Sequence, residues 1–322
     1  MNKFVWFAAS LALACGAGAQ AAQWPSQPIK IVVPYPPGGN VDVAARIIAP
    51  GLQKAFGQPF IVENKPGAGG MIAGEYVARS APDGYTLFMA ANGPLLYSPL
   101  IFGRSNAYQW NKSFEPISSV SYTPMVLQVR PSLPVKSLAD LIALAKKEPG
   151  KLNMAAPGAG TSNHLVSELL QSVTGAHWTT VQYKGNAPAL TDLLSGQVDF
   201  DFDQVSVALP FIRKGQLRPL AVTTEKRVKS LPDVPTMEEA GVKNMVATTF
   251  TGLLAPKGTP KDIVDRLSAA LHKILKEPDV IDKFDHLGAE ARAATPQEFT
   301  AYLAAEDARW TPVIKRAHIH VN

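Results

Sequence analysis

The sequence predicts an α/β protein of two lobes with a ligand cleft between them. Short β-branched runs alternate with helix-patterned stretches, the mark of parallel strands covered by helices. This alternation occurs twice, from Ile29 to Ala90 and from Leu152 to Thr223, and a strand and two helices then return toward the C-terminus. Glycine-bearing loops sit at strand ends, where ligands bind in open α/β sheets.

In the 322-residue chain, 46% of residues are hydrophobic and 18% charged, a globular composition with room for one large or two medium domains. The net charge of +5 is scattered, and no basic patch carries interleaved aromatics, which argues against a nucleic-acid partner. Lys3, the short apolar run Phe4–Ala14 and the small-x-small triplet Ala19-Gln20-Ala21 form an export signal with cleavage expected after Ala21. The only cysteine, Cys15, lies inside it, and lipid attachment there is the alternative to cleavage. Without that segment the chain has no thiol for a disulfide or a nucleophile. The expected location is the periplasm, as a monomer without cofactor or metal.

The elements follow in order. Ile29–Val33 reads as a strand, and Pro34–Gly39 as a tight loop. Asn40 stands as the N-cap of a helix from Val41 to Phe56, whose apolar stripe includes positions 44, 45, 48 and 52. Phe60–Val62 is a strand, Lys65–Gly70 a glycine loop, Met71–Ser80 a helix and Tyr85–Ala90 a strand. Phe114–Val120 and Pro124–Val129 read as two extended runs, and Ser137–Asp140 opens a helix. The second half has strands at Leu152–Ala156, Trp178–Tyr183, Val198–Phe202 and Leu217–Thr223, with helices at Asn163–Val173 and Ala187–Leu194. Thr248–Leu254 is a strand, Thr259-Pro260-Lys261-Asp262 caps a long helix, and Thr295-Pro296-Gln297-Glu298 caps the last one. Residues 22–122 with 246–322 are assigned to one lobe and 123–245 to the other, with crossings near Tyr122 and Val246.

Three strand-end loops, Pro34–Asp42, Ala90–Leu95 and Pro157–His164, are the candidate binding loops. A helix N-terminus offers unpaired N–H groups and the positive end of its dipole, so each suits a small anion, although an ordinary βα turn has the same look. Ser162 serves equally as a plain helix cap, and His164 either donates to an anion or packs at the helix start. Gly67-Ala68-Gly69-Gly70 fails the dinucleotide pattern, because Ile72 stands where the last glycine belongs. Asp199, Asp201 and Asp203 alternate along one strand; too few other ligands accompany them for a metal, which leaves Asp203 as a possible cleft residue. His318 and His320 fall at a terminus expected to fray. No nucleophile elbow or zinc-protease motif is present, so no catalytic residue is assigned.

The motifs together carry a resemblance. Val33-Pro34-Tyr35-Pro36-Pro37-Gly38-Gly39 with Asp42 and Ala45-Arg46 is followed by Glu63–Gly70 and by Pro82-Asp83-Gly84-Tyr85-Thr86-Leu87. Then come Gly158, Gly160, Thr161, Ser162, His164 and Leu165, Tyr183-Lys184-Gly185, Arg218–Thr223 and Leu231–Thr236. From Trp24 onward the chain resembles the substrate-binding proteins of tripartite tricarboxylate transporters, the Bug family of periplasmic receptors. The resemblance implies a two-lobed Venus-flytrap fold, type II-like, that binds a small carboxylate and passes it to membrane transporter subunits. It implies ligand contacts from Tyr35, Gly39 and Asn40, from Asn92, and from Thr161, Ser162 and His164, with Asp203 nearby. A receptor for a signalling partner is an alternative within the same fold. A secreted carboxylate-ester hydrolase is the alternative from another class, and the two-residue spacing of Ser162 and His164 on one helix argues against it.

Overall fold

The computed structural model describes residues 24–105 and 107–316. The expected export segment with Cys15, and His318 and His320, lie outside the described residues.

The first lobe opens with β1 (Ile29–Val33), α1 (Asn40–Phe56), β2 (Phe60–Asn64), α2 (Met71–Ala78) and β3 (Thr86–Ala91). A π-helical turn at Gly93–Tyr97 leads into the single turns α3 (Ser98–Ile101) and α4 (Trp110–Ser113), then β4 (Phe114–Val129). The second lobe holds α5 (Leu138–Lys147), β5 (Asn153–Ala156), α6 (Ser162–Thr174), β6 (Thr179–Gln182), α7 (Asn186–Ser195), β7 (Phe200–Gln204), α8 (Val205–Arg213) and β8 (Arg218–Val222). The chain returns through β9 (Thr248–Pro256), α9 (Lys261–Ile274), α10 (Pro278–His286), β10 (Glu290–Ala291) and α11 (Pro296–Arg316).

β1, β2 and β3 are parallel, as are β5, β6 and β7, so their carboxyl ends and the following helix N-termini gather at one edge of each lobe. The long β4 joins the lobes. It pairs antiparallel with β9 from Phe114 through Pro124, then with β7 and β8 from Met125 onward. The sequence reads as two runs, Phe114–Val120 and Pro124–Val129, where the structure has one strand that carries through Ser121–Thr123 and includes Pro116 and Pro124, although a proline has no N–H for the ladder. The strand absorbs Pro116 through register shifts between Pro116 and Ser118 and between Ser119 and Ser121.

The first-lobe sheet is covered on one face by α1, α9 and α10 through Ile31, Ile48, Leu52, Leu271 and Phe284. On the other face a larger core runs from Phe88 and Phe250 through Met125 to Phe200 and Trp178, so apolar packing is continuous through the junction. α1 ends at Gly57, whose left-handed φ of 69° lets its N–H reach the Gln53 carbonyl.

The local signals fared unevenly. Ser137 accepts from Asp140 N, and Thr295 with Glu298 forms a reciprocal capping box. Thr259 does not cap its helix: Pro260 holds the cap position, and the Thr259 hydroxyl donates to the Pro256 carbonyl. Besides the single turns α3 and α4, the helices α8 and α10 escaped the sequence reading. α8, in a stretch with no element assigned from sequence, starts directly from β7 with no capping side chain and has Pro210 inside it. α10 carried a legible mark, Pro278 in its first turn followed by Asp279.

Candidate functional site

The loop after β1 is held by a buried carboxylate. Asp42 accepts from Gly38 N at 2.9 Å, from Asn64 Nδ2 at 2.9 Å and from Arg46 Nε at 3.0 Å. Burial opposes its ionisation, but the Arg46, Gly38 and Asn64 hydrogen bonds outweigh burial and hold the carboxyl below its usual range. Asn64 Nδ2 also donates to the Tyr35 carbonyl at 2.8 Å, which ties β2 to the loop. The loop shape is therefore set before any ligand arrives.

Asn40 is not the N-cap. Gly39 takes that position with extended φ and ψ, and Asn40 is the first residue of α1. Its side chain is turned into the cleft, where Oδ1 accepts from Thr123 Oγ1 at 3.1 Å and from Ser206 Oγ of the second lobe at 2.7 Å. Nδ2 is buried without a hydrogen-bond partner. Burial raises the Tyr35 phenol above its ordinary value, so it stays a neutral donor.

Across the cleft, Thr161 caps α6 by accepting from His164 N at 3.3 Å, while its hydroxyl donates to the Gly158 carbonyl at 2.7 Å. Ser162 follows at the first helical position, beside the cavity. His164 is 6% exposed and turned back toward its own loop: Nδ1 accepts from Gly160 N at 3.3 Å, which puts the ring proton on Nε2, 3.6 Å from Glu168. Burial lowers its pKa to about 4, so the ring is neutral. α7 and α8 begin at Asn186 and Val205, beside α6. Four helix N-termini thus stand at the carboxyl ends of β1, β5, β6 and β7, each carrying roughly half a positive charge.

The lobes touch along a seam of glycines. A Cβ on Gly93 would lie 2.9 Å from the Gly160 carbonyl, one on Gly69 2.3 Å from the Ala159 carbonyl, and one on Gly185 2.8 Å from Pro36 Cδ. Ser98 Oγ also lies 3.4 Å from the Gly160 carbonyl. Between these contacts lies a cavity bounded by Tyr35, Asn40, Gly93, Ser162, Asn186 and Gln204 among others. It offers about 20 Å³ to the centre of a water-sized sphere, enough for a water. Entry of a ligand therefore requires the lobes to part, with β4 and the entry to β9 as the joining strands.

Of the residues expected at the site, Tyr35, Asn40, Thr161 and Ser162 border this cavity, and Gly39 lies against Asn186 of the opposite lobe. Asn92, His164 and Asp203 do not border it. Asn92 is consumed by structure: Oδ1 accepts from Phe250 N, and Nδ2 donates to Tyr97 Oη and Glu306 Oε2, while its neighbours Ala91 and Gly93 face the cleft. Asp203 stands behind the wall, where Oδ1 accepts from Asn186 Nδ2 and Gln204 N. Burial raises both Asp203 and its neighbour Asp201, the latter further through Asp203 itself. Asp199 belongs elsewhere, paired with Arg130 at 2.8 Å and accepting from Asn153 N. Sequence reasoning missed Asn163, Asn186, Gln204, Ser206 and Thr249. Asn186 follows the Tyr183-Lys184-Gly185 motif, so its place after a strand-end glycine was the available signal.

Comparison with known proteins agrees with this fold. A family model described as the tripartite tricarboxylate transporter family receptor matches residues 44–319. BugT of Bordetella pertussis is 39% identical over 295 residues, spanning 92% of this chain and 90% of that protein. The R. palustris protein Rpa4515, solved with adipate, superimposes with a TM-score of 0.88 at 37% identity, covering 92% of this chain and 99% of the other. MatC from Rhodopseudomonas palustris, solved with bound malate, gives 0.86 at 33% identity, covering 90% of this chain and all of the other.

Proposed function

The chain belongs to the tripartite tricarboxylate transporter receptor family, and on that premise we propose that it captures a small carboxylate between its lobes in the periplasm and delivers it to a membrane transporter. The observation that carries this reading is the opposition of the α1 and α6 N-termini across one cavity, with the unspent Asn40 Nδ2 donor between them. Together these hold a carboxylate through dipoles and neutral donors, without an arginine clamp. Closure of the glycine seam then shuts out water and strengthens those bonds. The proposed contacts are Tyr35, Gly39, Asn40, Thr161 and Ser162, with the lobes taken as 22–122 plus 246–322 and 123–245. The solved relatives with adipate and malate favour an acid as ligand. The placement of His164 counts against an esterase, because its Nδ1 is engaged by the Gly160 N–H.

A thermal-shift screen of the refolded mature chain, against small carboxylates and their matched amides, tests the reading. A ligand at a hundredfold excess over its dissociation constant adds about 2.7 kcal/mol of stability. A shift with an acid and none with its amide is expected. Equal shifts with both, or none with any acid, would overturn the carboxylate assignment.

A further inference from the structure

Three side-chain amides run in line along the second-lobe wall of the cleft. The line starts at the Phe202 carbonyl, which can only accept. Asn163 Nδ2 donates to it at 2.6 Å, so Asn163 Oδ1 faces the other way and accepts from Gln204 Nε2 at 3.1 Å. Gln204 Oε1 is then left to face Asn186, whose Nδ2 donates to it at 2.9 Å and also donates to Asp203 Oδ1. Both hydrogens of Asn186 are spent inside the wall. Its Oδ1 remains on the cleft side, 3.2 Å from the place a Cβ would take on Gly39 of the opposite lobe. Flipping the amide would set its oxygen against Gln204 Oε1 and Asp203 Oδ1, two acceptors at once, so the relay permits one orientation.

The first-lobe wall has the opposite polarity. The Thr123 and Ser206 hydroxyls hold Asn40 Oδ1, which leaves Nδ2 as a buried donor in the cavity. The cleft therefore presents a fixed donor on one side and a fixed acceptor on the other. A bare carboxylate suits Asn40 and the helix N-termini, but its oxygens meet the Asn186 carbonyl lone pairs unfavourably.

We propose that Asn186 is a specificity-determining residue that accepts a hydrogen bond from the ligand, so that the preferred ligand is a carboxylate carrying an O–H or N–H donor. Asn163, Gln204 and Asp203 act as positioning residues that fix the Asn186 amide. This inference rests on the receptor reading above.

The test is calorimetric titration with matched sets on several carbon skeletons: the plain diacid, its 2-hydroxy, 2-amino and 2-methoxy derivatives. Succinate, malate, aspartate and 2-methoxysuccinate make one set, and the corresponding adipates another. In the wild-type protein, the 2-hydroxy or 2-amino acid should bind about tenfold or more tighter than both the plain and the 2-methoxy acid, the size of one hydrogen bond to a neutral acceptor. Which of the two leads separates a hydroxyl from an ammonium, and either supports the proposal. In Asn186→Ala the preference for the donor-bearing acid over its plain and 2-methoxy partners should shrink to within about threefold, whatever the absolute affinities. A plain or methoxy acid that binds the wild type as tightly as the donor-bearing ones would overturn the inference alone. Binding of none of the acids would overturn the receptor reading and this inference together. The wild-type comparison decides the matter even if the variant fails to fold.

Discussion

Replacing Gly93 with alanine separates closure of the lobes from stability of the fold. The new Cβ would lie 2.9 Å from the Gly160 carbonyl oxygen and 3.1 Å from Thr161 Cα, both backbone atoms of the opposite lobe that no rotamer change can move. Gly93 opens a π-helical turn, and its φ is outside the left-handed region, so alanine is compatible with its backbone. Alanine in a helical setting is even favoured over glycine, by roughly 0.5–1 kcal/mol. Both backbone clashes therefore fall on the closed arrangement, and within its own lobe the nearest atom the Cβ would meet is Tyr35 Oη at 3.1 Å, the far end of a side chain that can shift. Overpacking of this kind costs about 1–3 kcal/mol, which is roughly a 5- to 150-fold loss of affinity. Titration of an acid identified in the screen should show that loss, while the melting temperature of the ligand-free protein stays level or rises. Wild-type affinity together with wild-type stability would refute the idea that capture brings Gly93 and Gly160 together.

Three further perturbations address single links of the account. Thr161→Ala removes the α6 cap and should lower stability by about 1 kcal/mol in denaturant unfolding while weakening acid binding, because the helix start that meets the ligand loosens. Asp42→Ala leaves Gly38 N–H and one Asn64 Nδ2 hydrogen without their acceptor, while the exposed Arg46 turns to water, and should cost roughly 1–3 kcal/mol by the same measurement. His164 should make the fold acid-sensitive. Its folded pKa of about 4 lies below the ordinary 6.5, so between these values the unfolded chain binds a proton that the native ring refuses. Its contribution is intact above about pH 6.5 and is lost as pH falls to about 4, by roughly 3 kcal/mol in all. Burial raises Glu168 and Asp203, which act in the opposite sense, so the readout is the difference between wild-type and His164→Gln stability curves. That difference should grow toward acid, and a flat difference would contradict the burial argument.

What could be read from the sequence depended on the range of the interaction. β1 was legible to the residue, because Ile29–Val33 is β-branched but for Lys30 and is bounded by Pro28 and Pro34. The capping boxes at Ser137 and Thr295 were legible because both partners lie within four residues of each other. Asn40 was placed at the right turn but in the wrong role, since its true partners are Thr123 and Ser206, 83 and 166 residues away. Asn92, a ligand contact by family resemblance, has structural partners that only the fold brings to it, Phe250 and Glu306. The amide relay of Asn163, Gln204 and Asn186 spans three elements, and no spacing in the chain announces it. Local chemistry thus showed where helix N-termini would face a cleft, whereas the polarity of its walls is a tertiary property.

The most direct measurement is a crystal structure of the protein with a bound acid from the screen. The account predicts a carboxylate between the lobes, within hydrogen-bond distance of Asn40 Nδ2 and of the N–H groups that open α1 and α6. An acid seated elsewhere, for instance in the hinge-side groove lined by Arg292, Tyr302 and Arg309, with the interlobe cavity closed as described, would contradict it.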